Sequence, residues 1–158
     1  SSTSTSGKRA IVLSSSNNTG IKSTTYYTGS ICYNQNYILR EKINNISIGT
    51  KTANTEGLII TRYTAVISDI TIEPKNAAIV STLNSISYCG VTSWSSGSET
   101  SIAGKTCSST TYSSVNDGFR DIVQMNSERT YIRFGNTSDL ESDGYPSTVY
   151  ANKYYKFN

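Results

Sequence analysis

The 158-residue sequence contains no histidine and very little proline, methionine or tryptophan. Without histidine, a Ser-His-Asp or Cys-His nucleophile, an imidazole acid or base and a His-ligated metal site are excluded. No Cys-x-x-Cys pair occurs either, so a zinc site is not expected. The sequence therefore predicts a protein that is not an enzyme.

Without histidine, a pair of carboxylates could still catalyse glycoside hydrolysis, because a glycosidase needs only two acidic residues. The candidates are Asp117, Asp121, Asp139, Glu141 and Asp143. Solvated surface acids explain the same residues, and sequence gives no distance between them. A glycan-acting enzyme is therefore the remote alternative.

Charge and long apolar runs are also sparse. Charged residues make up 16% of the chain, the formal net charge is +3, and Lys8-Arg9 is the longest basic run. Nucleic acid is not expected as a partner, because tracking phosphates requires a concentrated basic face. No apolar run approaches a membrane span, and the polar start at Ser1 has no signal pattern, so we expect a processed, secreted chain.

The residues that are abundant indicate a β fold. Apolar residues are only 35% of the chain, but Ile, Thr and twelve tyrosines suit a pleated, half-buried surface. The length fits one domain, residues 1–158. We predict an all-β, antiparallel β-sandwich or β-barrel of about seven to nine strands.

Periodicity and turn residues place the elements. Alternating or β-prone runs predict strands at Lys8–Leu13, around Tyr37 and Leu39, at Leu58–Ile67 and on to Pro74, at Phe119–Met125, at Thr130–Phe134 and at Ser147–Phe157. Thr50–Gly57 reads as a polar turn. Asn76 can cap a short helix near 76–87, since Ile79, Val80, Leu83 and Ile86 fall at helical spacing.

The three cysteines suggest one disulfide. Cys89 and Cys107 flank a Ser/Gly-rich segment and are the expected pair in an oxidising compartment, where closing such a loop adds about 3 kcal/mol. Cys32 is then left over. It is either a small buried side chain or a bridge to another molecule.

The segment Asp139–Gly144 resembles the first half of a calcium loop, with Asp139, Glu141 and Asp143 at alternating positions and glycine at the sixth. Tyr150 stands where a bidentate glutamate is expected at the twelfth. An acidic β-turn with Gly144 at a positive φ explains the same residues. Calcium is therefore a weak hypothesis, and no other cofactor is expected.

Aromatic residues and glycosylation triplets add two further hypotheses. Trp94, Tyr88 and Tyr145 could form a ligand or adhesion surface, although tyrosines also simply fill strand faces. Asn-x-Ser/Thr triplets begin at Asn17, Asn45 and Asn136. They are compatible with glycosylation, although some triplets arise by chance in so polar a chain.

Two segments carry a resemblance to a known family. Asn84–Cys107, with its Tyr-Cys-Gly-Val-Thr-Ser-Trp run, and Tyr131–Lys156, with Asp-Gly-Tyr-Pro-Ser-Thr and a final aromatic run, are similar to small secreted bacterial lipoprotein-type domains of calycin, or lipocalin-like, character. The resemblance covers about the last half of the chain. It implies an exported antiparallel β barrel or sandwich with Cys89 paired to Cys107, and it implies no catalytic residues.

Taken together, the sequence predicts a non-enzymatic structural or adhesive protein, extracellular or at the cell surface. Residues 1–13 are a candidate N-terminal arm or donor strand, which would add to the sheet of a neighbouring copy and build a filament. The alternative is a monomeric lipocalin-like protein that binds a small apolar molecule or a glycan.

Overall fold

The computed structural model describes residues 5–14, 16–28, 34–54 and 57–155. Its strands are β1 Thr5–Ser14, β2 Thr19–Thr28, β3 Asn34–Ala53, β4 Ile59–Pro74, β5 Thr100–Ser101, β6 Thr106–Cys107, β7 Thr110–Thr111, β8 Gly118–Met125, β9 Tyr131–Phe134 and β10 Tyr154–Tyr155, and its helix is α1 Ala77–Ser85. The short strands β6 and β7 pair only with each other, which leaves eight strands, within the predicted number. The prediction of an all-β fold with one short helix is confirmed.

Helix α1 begins where its cap was predicted. The Asn76 side-chain oxygen accepts the backbone N–H of Ile79 at 2.9 Å, and the Asn76 amide donates to the Gln35 carbonyl at 2.8 Å. Leu83 is the buried residue of the helix. Ile86, the last residue of the predicted periodic set, follows the end of the helix and is 61% exposed.

Two predicted boundaries are wrong. The turn predicted at Thr50–Gly57 is shorter, because β3 continues to Ala53 and Asn54 closes the connection by accepting the Leu58 N–H at 2.8 Å. The strand predicted at Ser147–Phe157 is limited to Tyr154–Tyr155 in the described residues. Before it, Val149 makes only an isolated bridge to Gly135, and Tyr150 donates to the Phe134 carbonyl at 2.8 Å, so no continuous ladder forms.

The chain divides into two compact units. The first contains Ser1–Ile43 and Ile67–Asp117, and the second contains Asn44–Val66 and Gly118–Asn158. Strands β3 and β4 each contribute residues to both. That all of residues 1–158 make one domain stays a prediction.

In the first unit, β2 pairs with β1 on one side and with β3 on the other, all antiparallel. Strand β5 pairs with Thr71 and Ile72 of β4. Strand β4 ends at Pro74, as predicted from the missing proline N–H. The buried apolar side chains of this unit include Tyr27, Ile67, Ile70, Ile72, Leu83, Trp94 and Ile102.

In the second unit, the Thr61–Val66 part of β4 pairs with β8, β8 pairs with β9, and β9 pairs with β10. Strands β8 and β9 form a hairpin, and in its turn the Asn126 side chain accepts the N–H groups of Thr130 and Tyr131, both at 2.9 Å. Ile60, Ile122 and Val149 form the core, and Leu58 and Tyr145 pack against it.

Candidate functional site

The disulfide loop of the first unit is a structural feature. Cys89 and Cys107 are joined as predicted, and both are buried. Trp94 lies within the loop, where Asn84 accepts its backbone N–H at 2.8 Å and donates to its carbonyl at 3.1 Å. Only 3% of Trp94 is exposed, and its ring lies 6.4 Å from that of Tyr88. This corrects the prediction that Trp94 belongs to a ligand or adhesion surface: it is a core residue.

An ion-pair cluster joins β3 to the end of β4 in the first unit. Arg40 lies 2.7 Å from Glu73 and 3.1 Å from Glu99, Lys42 also pairs with Glu99, and Lys75 pairs with Glu73. Burial opposes ionisation of Glu73, but hydrogen bonds from Lys75 and Arg40 outweigh it and lower its pKa. The Lys42 hydrogen bond likewise lowers the pKa of Glu99. Each of the three cations is paired with one of the two carboxylates, so the charged groups of the cluster are engaged with one another.

The β1–β2 hairpin of the first unit has exposed apolar side chains. The segment predicted as an N-terminal arm is a strand, but it is not a free one: β1 pairs with β2 from Thr5↔Thr28 to Ser14↔Thr19. Residues 1–4 of the predicted arm lie outside the described residues. Within the hairpin, Val12 is 66% and Leu13 57% exposed, and Ile21 opposite Val12 is also exposed.

Cross-strand contacts hold the hairpin on β3. Lys22 pairs with Glu41 at 2.8 Å, and the rings of Tyr26 and Tyr37 stack with centroids 4.7 Å apart. Burial raises the pKa of the Tyr37 hydroxyl. Strand β1 therefore belongs to a well-anchored ladder on its β2 side. No strand of the described chain pairs with its other side.

The acidic turn of the second unit is organised by an arginine. Arg62 of β4 donates to both Glu141 and Asp143, and the Asp143 pair is 2.7 Å long. Gly144 has φ +82°, and its N–H donates to the Glu141 carbonyl, as an acidic β-turn requires. Hydrogen bonding by the Tyr145 N–H and the Arg62 charge lower the pKa of Asp143.

These contacts correct the calcium hypothesis. Glu141 and Asp143 face a guanidinium, and Asp139 is exposed, with its backbone bonded to Asn136 and Ser147. No group of three acidic or metal-ligating side chains suited to a metal ion occurs within residues 5–14, 16–28, 34–54 and 57–155. Residues 139–144 therefore form the acidic β-turn that was the alternative to a calcium loop.

Tyr145 packs against two arginines in the second unit. Its ring lies 4.7 Å from the guanidinium carbon of Arg62 and 5.9 Å from that of Arg120. Arg120 also donates to the backbone carbonyl of Asp143 at 3.0 Å. Tyr145 is thus half-buried and holds the turn against β4 and β8. It belongs to a different unit from Tyr88 and Trp94.

A groove of about 630 Å³ opens beside Arg120 in the second unit. Phe119 and Arg120 of β8 and Thr64 of β4 contribute to its wall. The other lining residues are Asn45, Ala65, Val66, Gly118, Thr137, Leu140 and Gly144. The groove therefore combines one arginine, amide and hydroxyl groups, and an apolar patch.

The carboxylates proposed for a glycan-acting enzyme have structural roles. Asp121 accepts the Tyr63 hydroxyl at 2.9 Å and the N–H of Ile122 at 2.7 Å. Asp117 accepts the Ser114 N–H at 2.6 Å. Both carboxylates thus accept hydrogen bonds from neighbouring groups, and a catalytic role for either stays a prediction.

The predicted glycosylation residues are accessible to different degrees. Asn17 lies exposed in the β1–β2 turn, and Asn45 is exposed in β3 with φ +51°. Asn136 is partly buried and accepts the Ser138 N–H at 3.1 Å. Modification at the three residues stays a prediction, and Cys32 lies outside the described residues.

Comparison of the chain with protein-family models finds no match, and comparison with curated proteins finds no similar sequence. The likeness to calycin-type domains stays a prediction. In the described residues, α1 is too short to span a membrane. The disulfide is typical of proteins that fold outside the cytoplasm.

Sequence reasoning missed the two arginines of the second unit. Arg62 and Arg120 stand in strands that were predicted, but their partners in the 139–146 turn are far along the chain. The β4–β8 register places them on one face, since Arg62 pairs with Ile122 and Arg120 pairs with Thr64. The alternation within each strand does not specify that register, so the sequence carried no signal for the shared face.

Proposed function

We propose that the protein is a non-enzymatic structural or adhesive protein, extracellular or at the cell surface, whose copies associate by β-strand addition along β1. The observation that carries the proposal is the outer side of β1. This strand has ten residues and is paired with β2 alone among the described strands. A long strand with one unpaired side is a ready template for another strand.

The residues of β1 suit a second copy of the same strand. In an antiparallel pair related by a two-fold axis at Ala10, Lys8 of one copy faces Val12 of the other, and Arg9 faces Ile11. No like charges then stand opposite each other. An axis between Lys8 and Arg9 would instead place these two cations face to face, which is unfavourable. The Ala10 register is therefore the one we propose.

The exposed apolar residues give this pairing its driving force. Val12 and Leu13 are more than half exposed, and both lie within the strand that would be covered. Burying apolar surface contributes about 25 cal/mol per Å². A two-fold contact closes as a dimer, so a filament would require a second contact between dimers.

A charge swap at Val12 tests the register. Val12→Lys places a cation opposite Lys8 of the other copy twice per dimer, whereas Val12→Glu places an anion there. Each cross-strand pair is worth about 0.2–1 kcal/mol, so Kd should rise about 2- to 30-fold for Val12→Lys and fall by a similar factor for Val12→Glu. Sedimentation equilibrium measures both constants.

Within the hairpin, Val12 faces the uncharged Ile21, so neither substitution meets a charge there. Circular dichroism checks that both variants remain folded. If both substitutions raise the Kd of association, the proposed two-fold register is wrong. A wild-type chain that stays monomeric at millimolar concentration would overturn association through β1 altogether.

Ligand binding in the second unit is a second candidate function. The observation that favours it is the groove beside Arg120, which shares no residue with β1. A small molecule that co-purifies with the chain, detected by mass spectrometry after denaturation and lost from Arg120→Gln, would support this function. The absence of any co-purifying small molecule from the wild-type protein would count against this function.

A further inference from the structure

We propose that the groove beside Arg120 binds a carboxylate-bearing saccharide, with Arg120 as the anchor for the carboxylate. This inference rests on the second candidate function, ligand binding in the second unit, and it is independent of association through β1. It names the class of ligand and the residues that would select it.

The charges around the groove distinguish Arg120 from Arg62. Arg62 forms salt bridges with Glu141 and Asp143, which both accept its N–H groups. Arg120 instead donates to a backbone carbonyl, and no salt bridge to it occurs in the part of the chain that the structure describes. Two arginines and two carboxylates thus balance one another around the turn, and among the residues that line the groove Arg120 alone is charged.

The guanidinium of Arg120 is held in place before any ligand arrives. One N–H group donates to the Asp143 carbonyl at 3.0 Å, and the Tyr145 ring lies 5.9 Å away. Gly144 leaves room for it, since a Cβ there would lie 3.3 Å from the Arg120 Nη1 atom. A guanidinium fixed on one side keeps its remaining donors for a carboxylate, which it can bind with two parallel hydrogen bonds.

The remaining lining suits a sugar ring. Asn45 supplies an amide, and Thr64 and Thr137 supply hydroxyl groups, which match the hydroxyls of a saccharide. Val66 and Leu140 supply apolar surface for the C–H face of the ring, and Val66 lies on the same face of β4 as Thr64, the register partner of Arg120. A volume of about 630 Å³ lies in the range of small-ligand sites.

Isothermal titration with three probes tests the proposal: a trisaccharide of galacturonic acid, a neutral galactose trisaccharide, and sodium acetate. We expect the acidic trisaccharide to bind the wild type, and Arg120→Gln to weaken that binding about 10- to 100-fold, because it removes charged hydrogen bonds. Arg129→Gln makes the same charge change in the exposed β8–β9 turn and should leave Kd unchanged.

Asn45→Gly provides a second variant in case Arg120→Gln does not fold. Glycine accepts the positive φ at position 45, so this change removes the amide without backbone strain, and it should weaken binding about 5-fold.

Equal binding of both trisaccharides would overturn the role of the carboxylate while leaving ligand binding intact. Acetate that binds as tightly as the acidic trisaccharide would show a simple anion site. No binding by any probe would overturn this proposal, whereas a co-purifying small molecule that is lost from Arg120→Gln would still support ligand binding in the groove.

Discussion

Gly135 is the position where one added methyl group should disturb the second unit most. A Cβ built there would lie 2.5 Å from the Oδ1 atom of Asp121 and 2.5 Å from the Cγ atom of Pro146. Pro146 is fully buried, and the Asp121 carboxylate is held by Tyr63, Ile122 and Gly135 itself. Neither neighbour can move without losing packing or hydrogen bonds.

Gly135→Ala should therefore destabilise the protein by about 2–4 kcal/mol, as the sum of an overpacking cost of about 1–3 kcal/mol and about 1 kcal/mol for a weakened hydrogen bond. Urea unfolding followed by far-UV circular dichroism measures this change. For a chain of this length the melting temperature should fall by about 5–15 °C.

Gly118→Ala is the matched control, because a Cβ there would come no closer than 4.0 Å to another residue, at the Ala65 carbonyl oxygen. It should change the free energy of unfolding by less than about 1 kcal/mol. Any such change should be stabilising, because alanine restricts the unfolded chain more than glycine does. Equal effects of the two substitutions would refute the packing described around Gly135.

Three further predictions concern the first unit. Replacing Cys89 and Cys107 together by alanine should cost about 3 kcal/mol, seen as an earlier loss of the buried Trp94 fluorescence signal in urea; an unchanged midpoint would contradict it. The lowered pKa of Glu73 adds stability above the ordinary carboxyl value of 4.5, and this stability is lost as the pH falls through the lowered pKa. Glu73→Gln should therefore cost about 2 kcal/mol at neutral pH and flatten the acid side of the stability curve, whereas an unchanged curve would show that the Arg40 and Lys75 pairs contribute nothing. Asn76→Ala should cost about 1 kcal/mol by removing the cap of α1, and Asn17→Ala in the exposed β1–β2 turn is the control that should cost less.

Local signals in the sequence were sufficient for the elements that depend on neighbouring residues. Asn76 and the spacing of Ile79 and Leu83 predicted α1, because a cap and a helical face are properties of one short segment. Gly144 was predicted at a positive φ for the same reason, and the disulfide followed from two cysteines on either side of one loop.

Long-range contacts could not be predicted in this way. The end of β3 is polar and exposed, so composition suggested a turn at Thr50, whereas pairing with a neighbouring strand extends it to Ala53. The Trp94 backbone N–H is held by the Asn84 side chain, and Glu141 accepts a hydrogen bond from Arg62 in a distant strand. Such contacts follow from topology, which the periodicity of one segment does not specify.

Pairing of two copies through β1 is tested most directly by a cysteine at the proposed two-fold axis. Ala10→Cys, on a Cys32→Ser background, places two cysteines opposite each other, and directly opposed Cβ atoms lie about 5 Å apart, close enough for a disulfide after a small shift. Lys8→Cys is the control, since residue 8 faces residue 12 of the other copy. We predict a covalent dimer from Ala10→Cys under mild oxidation and little or none from Lys8→Cys. Equal crosslinking of the two variants, or none from either, would contradict association through β1 in this register.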